Sequence, residues 1–159
     1  MPELTQRMKQ VLKQQPVVLV ATSDGLGQPS VSPKGALGIV DNDKLLFAGL
    51  CSNKTSGSLR ANAKVAAVAV NPASYEAYQF NGWVEMVDEG PLFDRICSLL
   101  DRCRTGPQPM ELWFERAARE LVAALRRAGR TKVRPSCALV LHIEEIWNLA
   151  PGHDGEVWR

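Results

Sequence analysis

The segment Ser52-Asn53-Lys54-Thr55-Ser56 holds the densest group of residues in this chain that could do chemistry. It follows an apolar strand pattern ending at Leu50 and leads into a short helical pattern, Ser58 to Ala63. Free N–H groups at a helix start, together with hydroxyls and one ammonium, make an anion site that needs no metal. Arg60, within a turn or two, adds a second cation. The same residues also read as an ordinary helix start, with Thr55 or Ser56 as the N-cap and Lys54 solvated; spacing leaves both readings open. A second group, Ser30-Val31-Ser32-Pro33-Lys34-Gly35, puts a proline, a lysine and a glycine in one strand segment. Such a segment exposes backbone to close approach by something flat or bulky, and by itself reads equally as an irregular edge strand.

Familiar nucleotide and metal motifs fail. Gly25-Leu26-Gly27-Gln28-Pro29-Ser30 lacks the third glycine of a dinucleotide loop and runs into a strand, so it reads as a hairpin turn. Gly49 to Thr55 lacks the second glycine of a Walker loop. The two histidines, His142 and His153, have no metal-ligand spacing, and no metal site is expected. Cys51, Cys97, Cys103 and Cys137 form no CxxC pair and are expected as free, buried thiols. Arg126, Arg127, Arg130, Lys132 and Arg134 read as a solvated helix end favoured by the helix dipole, with an anionic partner as the alternative.

The elements that must position these groups follow from periodicity. Leu4, Met8, Val11 and Leu12 mark a helix stopped by Pro16. Val17 to Ala21, Ser30 to Val40 and Lys44 to Leu50 read as an antiparallel meander turned at Asp24-Gly25 with Gly27 and at Asp41-Asn42-Asp43. In the second strand Val31, Leu37 and Ile39 share one parity and Ser32, Lys34 and Ala36 the other, with Pro33 marking an edge or bulge. Lys64 to Val70, a long strand from about Tyr78 to Val87 and Cys137 to Trp147 complete six strands. Two helical stripes lie between the last two: Leu92, Phe93, Ile96, Leu99, Leu100, Cys103, then Met110, Trp113, Phe114, Ala117, Leu121, Leu125 and Ala128, closed by Gly129. Strands that do not alternate with helices argue against a parallel α/β sheet. A mainly β (α+β) antiparallel barrel with peripheral helices is expected, with a sandwich as the alternative.

At 159 residues the chain has the length of one domain, 1–159. Nineteen Lys plus Arg against seventeen Asp plus Glu leave a net charge of +2, too mild to indicate nucleic acid. No apolar stretch reaches membrane-span length and the N-terminus has no signal-like core, so a soluble, cytoplasmic protein without membrane contact is expected.

Ser32-Pro33-Lys34-Gly35, the strand end Leu46-Phe47-Ala48-Gly49, then Asn53-Lys54-Thr55 with Leu59-Arg60-Ala61-Asn62 and the strand Val65 to Val70 resemble the pyridoxamine 5′-phosphate oxidase-like family of FMN-binding split-barrel proteins. The resemblance covers about residues 5 to 90 and returns in the last strand and the tail Ala150-Pro151-Gly152-His153-Asp154-Gly155. It implies a six-stranded antiparallel Greek-key split barrel, a homodimer and FMN at the subunit interface. On that resemblance Val31, Ser32, Pro33 and Lys34 would lie along the isoalloxazine edge, with Lys34 nearer the ring than the phosphate. Ala48, Gly49 and Leu50 would pass the ribityl chain, and Asn53, Lys54, Thr55 and Arg60 would hold the phosphate. Gln79 and Asn81 either reach the flavin pocket or face solvent, and Trp83, Trp147 and Trp158 are candidates to cover the partner's ring.

The sequence also departs from the family. The Arg and His motif that binds substrate in the vitamin-forming oxidase has no counterpart in Leu139 to Arg159, so that activity is not expected. The helical insertion at about 91–129 lies outside the minimal barrel and is expected to cover a barrel face or the dimer surface. The functional expectation is an FMN-dependent oxidoreductase of unknown substrate with no catalytic side chain. Its alternatives are a flavin-binding or electron-carrying module without catalysis, or a split barrel that takes haem or F420.

Overall fold

The computed structural model describes residues 1–15, 17–49, 53–105, 112–130, 134–153 and 155–159. Thr5 opens α1 (Gln6–Gln14): its hydroxyl accepts from the Met8 N–H at 3.3 Å while Met8 Sδ accepts from the Thr5 N–H, a reciprocal cap. Leu4, Met8, Val11 and Leu12 are all buried and join the main core, as their spacing predicted.

β1 (Val17–Ser23), β2 (Pro29–Val40) and β3 (Lys44–Ala48) form the expected antiparallel meander. β4 (Lys64–Asn71), β5 (Glu76–Val87) and β6 (Ala138–Asn148) follow, in the lateral order β3-β2-β1-β4-β5-β6. β6 then pairs back onto β3, from Lys44 opposite His142 to Ala48 opposite Ala138, so six antiparallel strands close into a split barrel. That closing ladder excludes the sandwich. A two-residue strand, β7 (Val157–Trp158), adds to β6 and was not expected.

The ring is uneven. β1 and β4 share only three residue pairs, Leu19 with Val68 through Ala21 with Ala66. β2 pairs with β3 only from Ala36 onward, so its stretch 29–35 is bonded to β1 alone and keeps one free edge. Pro33 sits in that stretch, where its missing N–H costs no ladder bond. The bulge lies further along, between Ala36 and Gly38.

This bulge corrects the parity expected for β2. Leu37 turns outward and Ile39 inward, although an unbroken strand would place both on one face. Inside, Leu45, Phe47, Phe80, Leu141, Ile143 and Ile146 fill the barrel together with the α1 stripe. Outside, Leu37, Leu46, Ala48, Ala138 and Val140 form a second core with Phe93, Ile96, Leu99 and Leu100 of α3 (Pro91–Thr105) and Val122 of α4 (Leu112–Arg127). The helical insertion thus covers a barrel face. Met110 of the expected α4 stripe lies outside the described residues, as do the side chains of Trp113 and Phe114.

β5 and β6 approach closely at a second irregularity. A Cβ on Gly82 would lie 1.9 Å from the His142 carbonyl oxygen, so only glycine fits there.

The remaining helix, α2 (Asn53–Ala61), begins five residues before the expected Ser58. Thr55 is therefore inside its first turn and not an N-cap. Thr55, Ser58 and Leu59 face the barrel, each about 5 % exposed or less.

Candidate functional site

The outer face of β1 and β2 carries apolar side chains in solvent: Val17, Leu19 and Val31 are 53 %, 49 % and 63 % exposed. The register explains their grouping, since Val17 lies opposite Gly35, Leu19 opposite Pro33 and Ala21 opposite Val31. Ser32 and Lys34 fall on the other parity, opposite Val20 and Val18, and are half-buried beside the free edge. Lys34 has no ion pair or hydrogen bond among the described residues. The sequence segment singled out for close approach is thus an accessible strand edge with an apolar outer face and a half-buried cation.

Ala48 is buried in the outer core, and Gly49 follows it at the start of the connection to α2. The Gly49 N–H donates to the Cys137 carbonyl at 2.8 Å, and its own carbonyl accepts from the Ser136 N–H at 3.2 Å and from Ser136 Oγ at 2.9 Å. A Cβ here would stand 2.5 Å from both Cys137 O and Cys137 Sγ, so this glycine is required by the approach of the chain before β6. Leu50 lies outside the described residues, as does the side chain of Asn53.

On α2 the two candidate cations separate. Six residues of helix put Lys54 and Arg60 about 9 Å apart along the axis and roughly 120° apart around it. Lys54 is exposed at the first turn. Arg60 instead lines a polar hollow of about 690 Å³ with Ser56, Gly57, Met86, Asp88, Ser136 and Cys137. The sequence could mark Arg60 as a cation near the helix but not its flank.

Gln79 and Asn81 belong to a hydrogen-bonded chain on the outer face of β5 and β6. Gln79 Nε2 donates to Asn81 Oδ1 at 2.8 Å, and Asn81 Nδ2 to Glu145 Oε2 at 3.3 Å. Glu145 also accepts from Trp147 Nε1 at 2.5 Å and from Arg159 Nε at 2.7 Å. The Arg159 guanidinium, and then the Trp147 indole, hold its carboxyl below the ordinary value of 4.5. Gln79 shares a lateral row with Val68, Leu19 and Pro33 and stands three strands, about 14 Å, from the β2 edge. Of the tryptophans considered as ring covers, Trp83 stacks on its own His142 with centroids 3.9 Å apart, and Trp158 tilts against Tyr78 at 6.4 Å. His142 lies on the outer parity as expected, with Nε2 2.8 Å from a Glu85 oxygen.

Sequence reasoning missed one hollow altogether. A groove of about 460 Å³ runs between α4 and the β1–β2 edge, lined by Val17, Pro33, Lys34, Gly35, Glu120, Leu121, Ala123, Ala124 and Arg127. Of its helix wall, the sequence singled out only Leu121, as part of an apolar stripe, and Arg127, as part of a basic helix end. Among the described residues no group of three or more His, Cys, Asp or Glu is placed to hold a metal, and no helix is long and apolar enough to cross a membrane.

The pyridoxamine 5′-phosphate oxidase family model matches residues 4–150, and the chain belongs to that family. An uncharacterised protein of Methanocaldococcus jannaschii is 28 % identical over 154 residues, covering 96 % of this chain and 85 % of the relative. Among solved structures, HupZ of Group A Streptococcus superposes with a TM-score of 0.66 at 23 % identity, covering 96 % of this chain and 99 % of its own. A pyridoxamine 5′-phosphate oxidase-related, FMN binding protein from Nostoc punctiforme superposes with a TM-score of 0.59 at 12 % identity, covering 92 % and 86 %. These structural likenesses establish the fold, and the family match agrees with the resemblance carried by the strand-two and α2 motifs.

Proposed function

We propose that the chain binds FMN at the interface of a homodimer and acts as a flavin-dependent oxidoreductase. The observation that carries this reading is the solvent-facing apolar patch Val17, Leu19 and Val31, bordered by Lys34 on the free edge of β2. Apolar strand surface of this kind is covered in a stable assembly, and a two-fold partner that covers it also walls a site at the same edge.

The residues present fit FMN. The β2 stretch 31–34 offers a flat apolar bed and backbone groups unpaired on one side, and the Lys34 ammonium favours negative charge on a ring beside it. Ala48 and Gly49 border the path toward α2. Because both Gly49 backbone groups are already bonded to residues 136 and 137, Gly49 offers surface to a ribityl chain and no hydrogen bonds. Asn53, Lys54 and Thr55 bring first-turn N–H groups and a cation to a phosphate. Gln79 stands apart from this line, three strands away, whereas Arg60 lines the hollow that also holds Ser136 and Cys137, the residues bonded to Gly49. When bound, FMN supplies the hydride or electron transfer, and the protein binds and orients it. No side chain is required as an acid or a base.

Purified protein should be yellow, release FMN on heat denaturation, and run as a dimer by light scattering. A colourless protein that fails to take up added FMN, or one that carries a haem spectrum instead, overturns the reading.

A further inference from the structure

The groove between α4 and the β1–β2 edge is a second place where this chain can hold a small molecule. Its volume of about 460 Å³ falls in the range of small-molecule sites, roughly 300–1,000 Å³. Val17 and Pro33 form its strand wall, and Leu121 and Ala124 its helix wall. Two cationic residues line it from different elements, Lys34 from the β2 edge and Arg127 from the last turn of α4. Neither has an ion pair among the described residues. One acid, Glu120, also lines the groove, so its charged side chains sum to one net positive charge. The C-terminal end of α4 carries partial negative charge, so the attraction for an anion comes from these side chains and not from the helix.

We propose that this groove binds a small apolar monocarboxylate, its body between the helix and strand walls and its carboxylate between Arg127 and Lys34. A guanidinium fork suits a carboxylate, and apolar walls reward a hydrocarbon body. A phosphate dianion matches the groove less well, because its second charge meets Glu120. Pro33 and Lys34 also belong to the proposed flavin bed, so the occupant would lie against the flavin as its reaction partner; that last step rests on the flavin reading.

Open space around two positions gives the test. Ala124 is exposed on α4, and a Cβ on Gly35 meets no atom within 4 Å, so Ala124→Trp and Gly35→Leu fill the groove without displacing the core. 2-Naphthoate and its uncharged isostere 2-naphthamide are titrated by calorimetry against the dimer, with and without FMN. The wild type is expected to prefer naphthoate at least tenfold. Arg127→Gln should reduce that preference to twofold or less, and both plugging variants should bind neither probe at an unchanged melting temperature. Equal affinity for the two probes, or naphthoate binding that survives both plugs, overturns the proposal. So does competition in which FMN expels naphthoate, since the groove would then be the flavin's own seat. Should the chain bind no FMN at all, the naphthoate preference still decides the groove, and only the flavin reading falls.

Discussion

Replacing Lys54 by alanine separates the two cations of α2. Lys54 stands in the first turn and Arg60 lines the hollow toward Ser136 and Cys137, about 9 Å further along the axis. A phosphate seated on the first-turn N–H groups therefore lies beside Lys54, with Arg60 on another flank nearly two turns further along. A hydrogen bond to a charged group contributes about 1.5–3 kcal/mol, which is roughly 10- to 150-fold in affinity. Lys54 is exposed, so solvent screening places the loss near the lower end, about tenfold. The assay is quenching of flavin fluorescence by the apo protein, run with FMN and with riboflavin, which lacks the phosphate. Lys54→Ala should weaken FMN about tenfold and leave riboflavin within twofold, while Arg60→Ala should leave both within twofold. Thr55 makes a poorer probe, since at 5 % exposure its replacement also disturbs the barrel contact. If Arg60→Ala carries the loss, or if riboflavin weakens in step with FMN while the melting temperature holds, the phosphate is not at the start of α2.

Leu19→Glu places a charge in the middle of the exposed patch and should yield a monomer by light scattering at micromolar concentration; a persistent dimer would show that another face pairs. Phe80→Ala empties a fully buried position of the barrel interior and should cost about 3–5 kcal/mol by denaturant unfolding. A loss below about 1 kcal/mol would mean the interior collapses around the gap. Arg159 and Trp147 lower the Glu145 pKa, so this carboxylate's stabilising contribution is present above its ordinary value of 4.5 and is lost as pH falls through the lowered folded value. The stability difference between wild type and Glu145→Gln should therefore shrink on acidification below that range; a difference independent of pH would refute the coupling.

Much of the barrel was legible because its strands are apolar runs bounded by the right turn residues, although Val17 to Ala21, read as one continuous run, in fact alternates between exposed and buried. Leu4, Met8, Val11 and Leu12 predicted α1, and the sheet's consecutive strands were found in order. What was missed depends on contacts between distant segments. The β2 bulge arises where β3 joins, so the opposite facing of Leu37 and Ile39 cannot be read from β2 alone. β7 is two residues long and carries no period to detect; it exists because β6 offers it an edge. The start of α2, five residues earlier than expected, was missed because Asn53, Thr55, Ser56 and Gly57 are poor helix formers by type; the barrel contact of Thr55 overrides that preference. At the site, residue types marked Lys34, Lys54 and Arg60 as cations. Only the fold shows that they serve three different surroundings, and only the fold sets Arg127 and Lys34, some ninety residues apart, on the walls of one groove.

The displaced parity of β2 makes one strand answer to two interiors. With Leu37 outside and Ala36 and Ile39 inside, β2 is wedged between the barrel core and the helical layer, so neither can loosen without unseating the same backbone. The insertion is then a structural member and not an ornament. A chain shortened by residues 91–129 would bare Leu37, Leu46, Ala48 and Val140 together, and it should aggregate where a barrel with a dispensable appendage would stay monodisperse.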